Sequence, residues 1–268
     1  MKNLFLISLT LMTFYLSTTN AQEKNIPTKL LDDGLIFLKD AGLYFTYPLR
    51  MSGREWLYAG GIAVGTYGLM HLDQTMKDAI GRETIKTLNG DFWDIPTYYG
   101  YIQYANLAAL STYTVGLVSG EDEVRKVGRM LFQSLSYSGI TVMFFRTLLG
   151  RERPYSGKGP WVFTGLSFDN AVQSFPSGHC TVAFSFSTVL AEYFDTVWSR
   201  VFFYGFASLT AYARILNNQH WFSDIVFGSL IGIAGGMFVI HQENNRESGN
   251  RFSISPTFNG LQLTYHFK

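Results

Sequence analysis

Apolar residues gather into about six stretches with helical spacing, roughly 56–72, 97–119, 128–149, 178–196, 200–216 and 223–241, separated by charged or Gly- and Pro-containing connections. The pattern predicts an all-α fold, a six-helix bundle over residues 56–241. Glycine and alanine recur inside these stretches, as in Ala59-Gly60-Gly61 and over 228–236, where small residues let helix backbones approach closely. Ahead of the bundle, residues 22–55 mix Leu, Ile, Phe and Tyr with Lys29, Asp32, Asp33, Lys39 and Asp40, which reads as an amphipathic helix over 26–51 lying on a surface rather than crossing a membrane. Behind it, residues 242–268 form a tail in which the β-like runs 251–258 and 261–267 flank Asn259-Gly260, a favoured two-residue turn. A small terminal hairpin is expected there.

Residues 1–21 join Lys2, an apolar run over 4–16 and the small polar ending Ser17-Thr-Thr-Asn-Ala21, the three parts of a secretory signal, and export is expected. With Cys180 as the only cysteine, no intrachain disulfide can form, so packing must hold the fold. Hydrophobic residues are 47% of the chain and charged ones 15%, which suits a membrane-embedded bundle, although the uncharged run 130–145 spans only about 24 Å against a bilayer core of about 30 Å. The mean hydropathy of +0.08 is modest for a multi-span protein. Orientation stays open: a cleaved leader followed by three spans would put the loop after Phe145 inside. An interfacial early helix, an uncleaved leader or a periplasmic domain that never spans would each change that. A net charge of +1 gives no basic track for nucleic acid, so any phosphate recognition must be local.

Three segments put titratable residues at the ends of apolar helices, where unpaired charge is costly. They are Arg146-Thr-Leu-Leu-Gly-Arg-Glu-Arg153-Pro154, Ser174-Phe-Pro176-Ser177-Gly178-His179, and Arg214-Ile-Leu-Asn-Asn-Gln-His220-Trp-Phe-Ser-Asp224. Together they hold the parts that phosphoryl transfer needs: a clamp for nonbridging oxygens, an in-line nucleophile and an acid for the leaving oxygen. The guanidinium forks of Arg146, Arg153 and Arg214 match phosphate oxygens, so no metal cofactor is required. Ser177 and Gly178 open a helix whose free N–H groups and dipole favour an anion, and the Ser177 hydroxyl adds a donor. Asp224, four residues after His220, can hydrogen-bond one of its ring nitrogens and leave the other as nucleophile. His179 is then the acid, and a bell-shaped pH profile is expected. Arg151 and Glu152 read as solvated loop charges, and Cys180 as a half-buried thiol without a role. His71, His241 and His266 fit no motif. Trp93, Tyr98, Tyr99, Tyr101 and Tyr104 suit a membrane-interface belt or a wall for a lipid chain, and packing explains them nearly as well.

Over roughly 56–241 the chain resembles the type 2 phosphatidic acid phosphatases, which share a fold with bacterial class A acid phosphatases and vanadium haloperoxidases. The family pattern is Lys-x6-Arg-Pro, Pro-Ser-Gly-His and Arg-x5-His-x3-Asp; the last two segments match throughout, and Arg146 stands where lysine is usual. The resemblance implies a six-helix core, a phosphohistidine intermediate on His220 and no metal cofactor. The expected activity is hydrolysis of a lipid phosphate or diphosphate (phosphatidic acid, phosphatidylglycerophosphate, undecaprenyl diphosphate or lipid A type) in a bacterial inner membrane, with the site facing the periplasm. The alternatives are a soluble periplasmic acid phosphatase of broad specificity, a vanadium haloperoxidase, and a noncatalytic lipid-binding membrane protein.

Overall fold

The computed structural model describes residues 26–84, 94–250, 252–257 and 260–265; the leader-like residues 1–21, Trp93 and His266 lie outside them. Helix α1 (Ile26–Phe45) leads through a 3-10 turn (Tyr47–Arg50) to α2 (Gly53–Met70), α3 (Asp73–Thr84), α4 (Asp94–Tyr99), α5 (Ile102–Ser119) and α6 (Asp122–Leu149). A long connection then reaches α7 (Gly178–Phe194), α8 (Val197–Leu216) and α9 (Phe222–Asn250), and strands β1 (Phe252–Thr257) and β2 (Gly260–Tyr265) close the chain. The all-α expectation holds, and each apolar stretch is helical. The stretch over 97–119 breaks at Gly100, where a Cβ would stand 2.9 Å from the His179 carbonyl oxygen, so the backbone of α7 occupies the space a side chain would need. Helix α3 was not expected because its sequence, DQTMKDAIGRET, has no apolar run.

Local chemistry sets several ends. Ser52 and Glu55 close a capping box on α2, and Thr196 and Ser199 close one on α8. Gly150 ends α6 in the left-handed region at φ 56°, with a hypothetical Cβ 2.2 Å from the Gly165 oxygen, so only glycine fits.

Small residues determine how the central helices meet. Along α9, Gly228, Gly232 and Gly236 face α7, where a Cβ would lie 2.5 Å from the Ser177 oxygen, 2.5 Å from the Thr181 oxygen and 2.6 Å from the Thr188 Cβ. Gly116 and Gly128 do the same between α5 and α6, at 2.1 Å from the Arg125 nitrogen and 2.2 Å from the Tyr113 nitrogen. Met130, Leu131, Leu135, Tyr137, Val182, Val189 and Val239 fill the core between α6, α7 and α9.

Helix α1 is amphipathic and turns two of its charges to the bundle while Asp32 and Lys39 stay exposed: Asp40 receives both Arg246 Nη1 bonds at 2.9 Å, and Asp33 pairs with Arg125 and with Arg129 Nε at 3.1 Å. Its outer stripe is Leu31, Leu35, Leu38 and Phe45, all exposed. Exposed apolar side chains continue along α2, α5, α6 and α8, with Trp198 81% and Leu57 76% exposed. Among the described residues one helix, over Phe222–Ser248, is long and apolar enough by itself to cross a membrane.

The terminal strands pair antiparallel, but the register joins Thr257 to Gly260. Gly260 therefore belongs to β2 rather than to the turn, and residues 258 and 259 lie outside the described residues.

Gly128→Ala is expected to lower the thermal unfolding midpoint of the detergent-purified protein, at about 1–3 kcal/mol, because its methyl meets backbone across α5 and α6. Gly61→Ala on α2, with nothing within 4 Å, should leave the midpoint unchanged or raise it.

Candidate active site

The three motif segments converge where α6 ends, α7 begins and the connection from α8 to α9 turns. A cavity of about 780 Å³ opens there, lined by Arg146, Arg153, Gly178, His179 and Arg214 among others. His220, Asp224 and Ser177 are buried and are not among its lining residues. The ring of His220 stands 6.5 Å from that of His179, centroid to centroid.

Each arginine is held by backbone oxygens or left open. Arg146 Nε donates to the Pro176 carbonyl at 2.8 Å, and a Cβ on Gly178 would lie 3.0 Å from Arg146 Nη2, so the turn and the guanidinium are fitted to each other. Arg153 Nε donates to the Asn170 carbonyl at 3.2 Å and Nη1 to Gln219 oxygens at 3.3 Å. Burial holds the Arg153 guanidinium below its usual range. Arg214 Nε is buried with no protein partner. Ser177 caps α7, accepting from the Cys180 N–H at 3.5 Å, and its own N–H donates to the Asp224 carbonyl at 2.9 Å, which joins the cradle to the first turn of α9.

The bonding of His220 differs from the expected pairing. Its Nδ1 lies 2.9 Å from the Ser174 carbonyl oxygen and 3.7 Å from Asp224 Oδ2. A carbonyl only accepts, so Nδ1 carries the proton and Nε2 keeps its lone pair. That Nε2 is buried and has no partner. Asp224 acts one step removed: its Oδ2 accepts from Ser174 Oγ at 2.5 Å and from the Trp221 N–H at 2.9 Å, fixing both neighbours of the imidazole. Burial pushes the His220 pKa down to about 3, opposed by Asp224 and reinforced by Arg146 and Arg153, so the ring is neutral at ordinary pH.

Arg151 corrects its reading as a solvated loop charge. It is fully buried, with Nη1 donating to Asp224 Oδ1 at 2.6 Å and to Ser223 Oγ at 2.8 Å, and Nη2 to Asp73 Oδ2 at 2.7 Å. Asp73, at the start of α3, also accepts from the Ser223 N–H and Oγ at 2.8 and 2.7 Å. Glu152 is likewise buried, pairs with Lys158 at 2.7 Å, and through its carbonyl accepts from Trp221 Nε1 at 2.8 Å. The overlooked signals were a third base between Arg146 and Arg153 and a lone carboxylate just after an apolar helix. Cys180 is buried within α7, and the His179 ring packs edge-on to Tyr101 at 5.0 Å, which gives one member of the tyrosine cluster a place at the site.

A buried, oriented imidazole beside a second one, within a ring of guanidiniums at a helix N-terminus, defines a site for phosphate chemistry on an all-α scaffold. Residues 129–248 match the PAP2 superfamily. The chain is 43% identical over 81 residues to a lipid A 1-phosphatase of Porphyromonas gingivalis, an alignment covering 29% of this chain and 18% of that protein. It is 32% identical over 108 residues to a lipid A 1-phosphatase of Rhizobium etli, covering 40% of this chain and 46% of that protein. The chain thus spans less than half the length of these curated relatives. The crystal structure of Aquifex aeolicus LpxE is similar with a TM-score of 0.45 at 19% identity, covering 63% of this chain and 95% of that one.

Two outcomes are expected. Arg151→Met leaves Asp73 and Asp224 buried without their shared cation, and its cost of about 3–5 kcal/mol should appear in denaturant unfolding. The native His220 pKa lies below its unfolded value, so on acidification the unfolded chain takes up the proton first. Stability from this group is complete above pH ~6.5 and falls toward pH 3 by about 1.4 kcal/mol per unit. Wild type should therefore lose about 2 kcal/mol more than His220→Gln between pH 6.5 and 5.

Proposed function

We propose that this protein is a metal-independent phosphatase acting on a lipid phosphate or diphosphate through a phosphohistidine on His220. The observation that carries the reading is the buried, unpartnered Nε2 of His220, its lone pair fixed by the Ser174 carbonyl behind the ring. In the first step Nε2 attacks phosphorus, the N–P bond forms, and the ester P–O bond breaks while His179 gives its proton to the leaving oxygen. In the second step His179 takes a proton from water, whose oxygen attacks the phosphohistidine and releases inorganic phosphate and neutral His220. Arg146, Arg153 and Arg214 neutralise the charge that grows on the equatorial oxygens, and Ser177 and Gly178 bring the helix N-terminus to them. Asp224, held by Arg151, keeps Ser174 and hence the imidazole in place.

The names of the relatives support lipid A as substrate class, and the exposed apolar stripes on α1, α2, α5, α6 and α8 favour a bilayer over the soluble acid phosphatase reading. On this reading residues 56–241 form the phosphatase unit in the inner membrane of a bacterial envelope, with the site facing the periplasm. Residues 1–21 serve as a leader, 22–55 as an outer apolar helix and 242–268 as a tail.

The test is phosphate release by purified wild-type and His220→Ala proteins from lipid A, an isoprenoid diphosphate and a soluble phosphomonoester. Release from lipids is expected, lowered by about 10³-fold or more in the variant. Undiminished release by His220→Ala would sink the phosphohistidine mechanism. Equal or better turnover of the soluble ester would instead favour the periplasmic acid phosphatase.

A further inference from the structure

Among the described residues several buried side-chain polar atoms have no hydrogen-bond partner, and three of them, His179 Nε2, His220 Nε2 and Arg214 Nε, surround the site where phosphate would bind. A fourth, Asn106 Oδ1, belongs to a residue lining the same cavity. Buried polar atoms are ordinarily paired, and an unmade bond costs about 1–3 kcal/mol, so three orphans lining one cavity, with His220 buried behind it, mark what a ligand completes. Phosphate oxygens complete Arg214 and His179, and the phosphorus meets the His220 lone pair. Asn106 asks for something else.

Its place in the fold says which part of the ligand it meets. Helix α5 starts at the site, where Tyr101 packs on the His179 ring, and Asn106 follows five residues on, about 7–8 Å further along the axis. Side chains on a helix lean toward its N-terminus, so Asn106 leans back toward the site, and Arg146 leans along α6 toward it. Gly139 on the facing helix lines the cavity with open space where a side chain would stand, while Gln103 and Ser136 add polar groups beside Asn106. Ile140 and Met143, both exposed, continue the lining outward.

We infer that Asn106 accepts a hydrogen bond from the group that carries the phosphate, and that this group is a sugar presenting a hydroxyl or amide N–H, rather than a fully acylated glycerol. This rests on the phosphatase reading. A buried amide oxygen needs a donor; the leaving diacylglycerol of phosphatidic acid offers none beside its phosphate, whereas an acylated glucosamine offers several one ring away. A site with an acceptor placed for such a donor discriminates against substrates that lack it, because binding them leaves the acceptor unpaired.

The experiment measures kcat/KM on lipid A and on phosphatidic acid, in the same mixed micelles, for the wild type, Asn106→Leu and Asn106→Ala, the alanine standing in if the leucine variant does not fold. Wild type should favour lipid A, and the ratio of the two kcat/KM values should fall about 10- to 100-fold in the variants. An unchanged ratio, including an equal loss on both lipids, overturns the inference and leaves the phosphatase reading intact. If the wild type hydrolyses neither lipid while binding both, the phosphatase reading fails and the inference with it.

Discussion

One guanidinium organises this molecule. Arg151 is withdrawn from water between Asp73 of α3 and Asp224 of α9, and neither carboxylate could be buried there without it. Because an isolated charge inside the fold would be so costly, the connection after α6, the start of α3 and the start of α9 must all arrive at one point. Asp224 then grips Ser174 and the Trp221 amide, Ser174 offers its carbonyl to His220, and the imidazole is left with a single tautomer. The free Nε2 is thus set by a relay that begins three elements away. Such a relay resists small displacements, since each carboxylate uses both oxygens and one of them twice.

Much of this was legible in the residues. Apolar periodicity located the six long helices, and the three charged segments contained every group that lines the cavity with a positive charge or an imidazole. What could not be read was partnership. Asp224 lies four residues after His220, a spacing that invites a direct bond, but the imidazole instead meets the Ser174 carbonyl, and a main-chain acceptor leaves no trace in sequence. Arg151 looked solvated because its two partners are separated from it by 78 and 73 positions. Helix α3 was invisible because a polar segment shows no periodicity, although its buried Asp73 matters to the site. Asn106 gave no signal at all, being one amide in an apolar run.

The polarity of the outer helices obeys the same accounting of buried charge. Helix α1 turns Asp33 and Asp40 inward to Arg125, Arg129 and Arg246, and presents leucine to its surroundings. The exposed leucines make an apolar stripe beside the exposed Asp32 and Lys39. Farther in, the glycine stripe of α9 lets that helix meet α7 in close backbone contact.

The reach of the α1 contacts also has a consequence for the timing of synthesis. Asp40 is joined to Arg246, 206 positions later. At a translation rate of about 5–20 residues per second, the aspartate emerges roughly 10–40 s before its cation exists. Until then α1 cannot take its final seat, so the first of the described helices to leave the ribosome is among the last to be locked, and the bundle is sealed by the same helix that carries Asp224.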